Sequence, residues 1–281
     1  MAPAKINLAL HVTARRPDGY HDLDTLVVFA DFGDRLAVSP AAELALHISG
    51  PFADHAPAGP ENLVLKVAAE LRSLCRIDTG ASISLVKNLP AGAGIGGGSA
   101  DAAAALKALN DLWQTGLSPA DLADIGIRFG SDIPICLQSS ALRTTDAPKR
   151  MVPWLNAPPL PLVLVWPARA VSTGGVFSAL QATANPPMPD IDLADLDRPD
   201  RGIEFLLRTR NDMTEAAIAI EPAIAEALQA LESQPACLLN RMSGSGSACF
   251  GIFADIGQAE AAAAEISRRH GDWWVRAVTT R

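Results

Sequence analysis

Hydrophobic and polar positions change period several times along the chain. Ile6, Leu8 and Leu10 alternate with Asn7 and Ala9, which predicts an opening strand. RRPDGYH (15–21) carries the Pro-Asp-Gly chemistry of a turn. A second strand is predicted near Leu23–Phe29, with shorter β signals near Arg35–Ser39 and Leu44–Ser49. PFADHAPAGP (51–60) reads as a loop. Leu63, Val67 and Leu71 recur at helical spacing, predicting a helix from about Glu61 to Cys75, and Ala81–Val86 alternates again as a strand.

A glycine-rich loop then feeds an alanine-rich helix in NLPAGAGIGGGSADAAAALKALN (88–110). Ser118-Pro119 supplies an N-cap and first-turn pair for a helix reaching about Phe129, and GSDIP (130–134) breaks it. A fully apolar strand starts near Leu162. A domain change is placed just before it, giving domains 1–155 and 156–281. The proline- and aspartate-rich stretch 184–200 predicts an exposed loop or lid. One long helical stretch follows, Asn211–Leu231, carrying Pro222. A second glycine-serine loop (243–247) precedes a strand, and a helix (about Gly257–Arg269) and a strand (Trp274–Val278) end the pattern. Strands and helices mix without a strict βαβ rhythm, so the fold class is α+β.

Composition narrows the function. Lys and Arg total 23 against 31 Asp and Glu, a net charge of −8, which argues against a protein that neutralises nucleic-acid phosphates. The basic pairs Arg15-Arg16, Lys149-Arg150 and Arg268-Arg269 are scattered and read as solvated surface. Cys75, Cys136, Cys237 and Cys249 have no CxxC spacing and read as small buried hydrophobes. The five histidines show no metal-ligand pattern, so no histidine metal site is expected. Neither a targeting signal nor a run of about 18 apolar residues is visible. The expectation is a soluble, cytoplasmic chain with no membrane partner.

Three segments can carry chemistry. Gly92, Gly94, Gly96, Gly97 and Gly98 leave the backbone bare just before a helix, where N–H groups and the positive helix end can hold phosphate. Ser99 can add a hydroxyl to phosphate or to bound Mg2+. A tight packing turn is the plainer alternative. GxxxxGK[ST] is absent. Gly92, Gly94 and Gly97 satisfy GxGxxG, but Lys87-Asn88-Leu89-Pro90 separates them from the strand, which disfavours a dinucleotide fold. Lys5 and Asn7 share the face opposite Ile6 and Leu8. Spacing alone suits a solvated side, although a lysine on a rigid strand can also hold a phosphate or a hydroxyl. Asp132 is expected at a loop corner, as a turn residue, a carboxylate base or a magnesium ligand. The loop at 243–247 can bring bare backbone to a ligand or be a flexible turn.

Together these pieces resemble the GHMP small-molecule kinases. PAGAGIGGGSA (90–100) is similar to that family's phosphate-binding motif, and MSGSGSACFG (242–251) to its C-terminal glycine motif. APAKINLALHV followed by RRPDGYH, with GSDIP, VSTGGVF (171–177) and Asn211-Asp212 in order, resembles one branch of the family over nearly the whole chain. The resemblance implies a two-domain fold, with an N-terminal domain like ribosomal protein S5 domain 2, a ferredoxin-like C-terminal domain and an active-site cleft between them. It implies transfer of the ATP γ-phosphate to the 2-hydroxyl of a cytidine-diphosphate-linked methylerythritol, in the non-mevalonate route to isoprenoid precursors. Homoserine- or mevalonate-type substrates are the alternative within the family, and a non-catalytic nucleotide-binding regulator the alternative outside it.

By matching motif positions, Asp132 would be the base and Lys5 its partner. ATP would lie on Pro90, Ala91, Gly92, Ala93, Gly94, Ile95, Gly96, Gly97, Gly98, Ser99, Ala100 and Asp101. Asn62 and Lys87 would lie on the adenosine side and Thr173 near the cleft. Asn7 would hold the substrate, with its cytosine between Tyr20 and Phe177 and beside His21. Mg2+ would arrive with ATP. The chain would act as a monomer or weak homodimer. Two positions depart from the family: Ala100 stands where a second serine is usual, and SSALRTTDAPKRM (139–151) lacks the usual glycine-rich, glutamate-bearing turn.

Overall fold

A computed structural model describes residues 1–146 and 150–281. In chain order the elements are β1 (Ala2–Arg15), β2 (His21–Ala41), β3 (Ala45–Ser49), α1 (Leu63–Leu74), β4 (Gly80–Val86), α2 (Gly97–Trp113), α3 (Pro119–Ile127), α4 (Ile133–Gln138), β5 (Leu142–Thr145), β6 (Arg150–Pro153) and β7 (Pro161–Trp166). After β7 come α5 (Thr173–Ala179), α6 (Pro199–Leu207), α7 (Thr214–Ile220), α8 (Ala223–Glu232), β8 (Leu239–Met242), β9 (Cys249–Ile252), α9 (Ile256–Arg269) and β10 (Trp274–Thr279).

The chain divides into two compact units, each discontinuous in sequence. The first holds residues 1–5, 32–91 and 96–139; the second holds 6–31, 92–95 and 140–281. A linear cut after residue 155 falls inside the second unit, because β1 and β2 each run through both.

In the first unit residues 35–41 of β2 pair antiparallel with β4, and β3 pairs parallel with β4. Parallel neighbours need a crossover, and α1 supplies it. Asn62 caps α1 by accepting from the Val64 N–H, and Val64, Val67, Ala68 and Leu71 form its buried stripe. The alanines of α2 are mostly buried, and α3 opens with the expected Ser118-Pro119 pair, closed into a capping box by Asp121.

In the second unit residues 24–27 of β2 pair with β5, and β5 with β6. A separate sheet runs β10-β7-β9-β8, every pair antiparallel. Numbered from β7, that is strand order 4-1-3-2, with helices between the first and second strands and α9 between the third and fourth, the split-βαβ pattern expected for a ferredoxin-like domain. Its core joins Leu10 and Val12 to Val163, Val165, Ile224, Leu231, Phe253 and Ile266.

Several expectations are corrected. The strands near Leu23–Phe29 and Arg35–Ser39 are one strand. Gly33 between them is a close approach, since a Cβ there would lie 2.6 Å from Pro3 Cα. The single helix 211–231 is two, α7 and α8, because Pro222 removes an N–H. The 184–200 stretch is no free loop: Met188, Leu193 and Leu196 are buried, and α6 starts within it. Asp132 lies in a turn, as expected, and directly precedes α4. Cys136 and Cys249 are buried as expected and their thiols pushed up by burial, whereas Cys75 and Cys237 are only half-buried. Ala147–Lys149, within the 139–151 stretch and including one half of the Lys149-Arg150 pair, lie outside the described residues. Among the described residues no helix is long and apolar enough to cross a membrane.

Candidate active site

Lys5 and Asn7 occupy β1, and both are buried, so the solvated-face reading fails. In the first unit the Lys5 ammonium meets Asp132 Oδ2 at 2.8 Å. The lysine side chain is 5% exposed, the aspartate 40%. Asp132 sits at the N-cap position of α4, yet its side chain makes no cap bond. Its carboxylate is therefore held by Lys5 and still reachable.

The exit of the glycine loop lies against this pair. Gly96 has φ +71°, and a Cβ there would stand 2.9 Å from Lys5 Cβ. A Cβ on Gly130 of GSDIP would lie 4.0 Å from Ser99 Oγ. Ser99 stands in the first turn of α2, where an anion meets the positive helix end. Lys5, Gly96 and Ser99 thus form one corner beside the open carboxylate of Asp132.

The other half of the loop is set within the second unit by the SGSGS segment. Ala93 C=O accepts from the Ala248 N–H at 2.8 Å, and Gly94 C=O accepts from Ser243 Oγ at 3.2 Å. A planar trans peptide points its N–H opposite its C=O. Two successive carbonyls are drawn to one side, so the N–H groups of Gly94 and Ile95 turn to the other. Side chains are barred from this meeting: a Cβ on Gly94 would lie 2.6 Å from Ser243 O, and one on Gly244 2.8 Å from Gly94 O. The segment is no flexible turn. Ser243 and Ser247 are buried, and Asn211 Nδ2 donates to both Met242 O and Gly244 O at 2.8 Å.

Thr173 begins α5 and shares a hydrogen bond with Ser245 Oγ at 2.8 Å. Phe177, one turn on, stacks on His21 with centroids 4.9 Å apart and planes 16° apart. Burial, followed by Arg15, holds the His21 imidazole below its ordinary pKa, and its Nε2 is buried without a partner among the described residues. Tyr20 is 72% exposed at the end of a turn closed by Gly19 at φ +88°.

A sealed charge cluster braces the loop from the first unit. Lys87 pairs with Asp34 and, at 2.6 Å, with Asp101 of α2. Asp34 Oδ1 also accepts the N–H groups of Asn88 at 2.5 Å and Leu89 at 2.8 Å. The cluster therefore ties β2 to the loop's entry and to the helix at its exit. Burial opposes the charge on Lys87, but Asp101 and Asp34 outweigh it and hold its pKa above the ordinary value. Two carboxylates compete for one ammonium. The cost falls on Asp101, whose Oδ1 has no partner among the described residues. Burial, only partly offset by Lys87, pushes its carboxyl up to about 7.

The two domain models of the GHMP kinases match this chain, the N-terminal one over residues 62–140 and the C-terminal one over 188–272. The chain belongs to the GHMP kinases. This GHMP kinase is 48% identical over 280 residues to the 4-diphosphocytidyl-2-C-methyl-D-erythritol kinase of Dinoroseobacter shibae, covering 100% of this chain and 94% of that one. A crystal structure of 4-(cytidine 5'-diphospho)-2C-methyl-D-erythritol kinase matches it with TM-score 0.80 at 32% identity, covering 100% of this chain and 98% of that one. Mevalonate kinase from L. major matches with TM-score 0.70 at 15% identity, covering 99% and 94%, a likeness of fold alone.

For a GHMP kinase, which uses ATP on a small molecule, the site residues sort into two groups. Lys5, Asp132, Gly96, Gly97, Gly98, Ser99 and Ala100 belong to the first unit; Asn7, Tyr20, His21, Gly92–Ile95, Thr173 and Phe177 belong to the second. Asn62, Lys87 and Asp101 are buried with their polar atoms directed inward: Asn62 caps α1 and donates to Pro57 O at 2.7 Å, and the other two face each other. Sequence reasoning missed Asp34, Thr25 and Arg241. Asp34 lies in the DFGD run just before a predicted strand. Arg241 donates to Leu8 O at 2.5 Å and to Leu206 O and Thr209 O at 2.9 Å, fixing β1 beside Asn7, and burial lowers its pKa to about 10. Nothing in its spacing signals this. A cavity of about 490 Å³ in the second unit, lined by Arg143, Trp154 and Asp197 among others, contains none of the expected site residues.

Proposed function

We propose that the protein transfers the γ-phosphate of ATP to the 2-hydroxyl of 4-diphosphocytidyl-2-C-methyl-D-erythritol. The observation that carries this reading is the Lys5–Asp132 pair, a reachable carboxylate held beside the glycine loop and the start of α2. The full-length relative of that name at 48% identity supports the substrate.

Phosphoryl transfer asks mainly for positioning and charge stabilisation. The N–H groups of Gly94 and Ile95 and the first turn of α2 would cradle the phosphates. Lys5 would hold Asp132 and meet charge developing on the transferred group. Asp132 would take the proton of the attacking hydroxyl. Ser99 suits a contact with Mg2+ arriving with ATP, which would neutralise charge on the phosphates. Asn62 and Lys87 would shape the adenosine end as fixed framework, their side-chain atoms being committed elsewhere. Phe177 and Tyr20 would stack on cytosine, with His21 Nε2 available to its polar edge. His21 now covers one face of Phe177, so the base would share or displace that stack.

Phosphorus NMR of the product tests the site of transfer. C2 of this substrate bears a methyl group and no hydrogen, so a 2-phosphate gives a monoester signal without three-bond proton coupling. A multiplet would place the phosphate on another hydroxyl and contradict the reading.

A further inference from the structure

Asn7 is held at both ends by hydrogen bonds whose direction can be worked out. Thr25 Oγ1 lies 2.6 Å from Ala9 O. A backbone carbonyl has no hydrogen to give, so the threonine hydrogen lies in that bond. Thr25 Oγ1 can then only accept. Asn7 Nδ2 stands 2.8 Å from it and donates. The flipped carboxamide would set two oxygens together with no hydrogen between them. The main chain repeats the logic: Ser243 Oγ gives its hydrogen to Gly94 O and accepts the Asn7 N–H at 3.1 Å.

This relay leaves one atom over. Asn7 Oδ1 is buried and has no partner among the described residues. Only glycine backbone stands beside it on one side, since a Cβ added to Gly244 would lie 3.4 Å away. A buried acceptor left without a donor is destabilising. On β1, Asn7 follows Lys5 by two residues, so both side chains leave the strand on one face. A bare carbonyl oxygen suits a hydroxyl and repels a phosphate.

We propose that Thr25 is a positioning residue that fixes the Asn7 carboxamide with its oxygen toward the acceptor substrate, where it receives a hydrogen bond from a substrate hydroxyl. Asn7 therefore serves the alcohol end of the substrate and not its diphosphate. The inference rests on the kinase reading above.

The test compares Thr25→Val and Thr25→Ser with the wild-type chain. Thr25→Val removes both the bond to Ala9 O and the one that orients Asn7, and loss of the latter predicts a fall of about tenfold or more in kcat/KM for the alcohol. KM for ATP should barely change, the melting temperature of Thr25→Val should fall because Ala9 O and Asn7 Nδ2 lose their partner, and Thr25→Ser should stay near wild type in both activity and melting temperature. Independently of turnover, the Asn7 side-chain NH2 pair in 1H–15N spectra should exchange slowly in wild type and Thr25→Ser, and quickly in Thr25→Val. Unchanged kcat/KM in Thr25→Val overturns the proposal. So does an unprotected NH2 pair in wild type, or a loss shared by Thr25→Ser that tracks a lower melting temperature. Should the wild-type chain not phosphorylate the cytidyl alcohol, the kinase reading fails, and the NH2 exchange still decides whether Thr25 orients Asn7.

Discussion

Two lysine–aspartate sites lie in the same unit and serve opposite ends. Lys5 pairs with one carboxylate that stays 40% exposed. Lys87 pairs with two that are almost wholly enclosed. An exposed carboxylate can meet a substrate hydroxyl. An enclosed pair cannot, and its charges repay their desolvation only by holding backbone in place. Asp34 does so by gathering the Asn88 and Leu89 N–H groups at the entry to the glycine loop. Residue type says little here; what decides the role is whether an oxygen is left within reach.

The sharpest way to break this contrast is to disable each site and read activity against stability. Asp132→Asn keeps an oxygen for Lys5 and removes the proposed base. Its kcat should fall by about 10²- to 10⁴-fold, with ATP binding retained in calorimetry. Lys87→Met leaves two buried carboxylates without their cation. Denaturant unfolding should show a loss of about 3–5 kcal/mol. If Lys87→Met were as stable as wild type, the brace would not be one.

Titration sharpens the same contrast. Asp101 has a folded value of about 7 against an ordinary 3.8, so the folded chain binds that proton more tightly than the unfolded chain. Its contribution to stability therefore falls as pH rises from about 4 to about 7. Lys87 acts in the other range: its raised value contributes stability below its ordinary 10.5, lost as pH climbs past the folded value. Asp101→Asn should flatten the decline in melting temperature between pH 4 and 7, relative to wild type. Equal slopes would show that Asp101 is ionised at no cost. The smallest effect is expected at the exposed rim. Tyr20→Ala removes one aromatic face worth about 0.5–1.5 kcal/mol, so KM for the cytidyl substrate should rise roughly two- to tenfold with kcat little changed.

Much of the fold was legible because period and punctuation agreed. The β1 alternation, the Ser118-Pro119 cap and the apolar run at Leu162–Trp166 each appear as expected. Errors came where one residue has two meanings. The two strands predicted near Leu23–Phe29 and Arg35–Ser39 are one that passes through Gly33, whereas the single helix predicted across Pro222 breaks there. In the site, the glycine loop and Asp132 were legible from composition and position. Burial was not. Spacing could not reveal that Lys5 and Asn7 face inward, or that Lys87 is sealed between Asp34, 53 residues away, and Asp101. Hydrogen-bond direction at Thr25 is further still from sequence, because it depends on a carbonyl sixteen residues distant.

The most direct measurement of the central claim is ADP release by the purified protein with Mg-ATP, run in parallel on 4-diphosphocytidyl-2-C-methyl-D-erythritol, homoserine and mevalonate. ADP should form with the cytidyl alcohol and not above background with the other two. No ADP with the cytidyl alcohol, or equal release with homoserine or mevalonate, would contradict it.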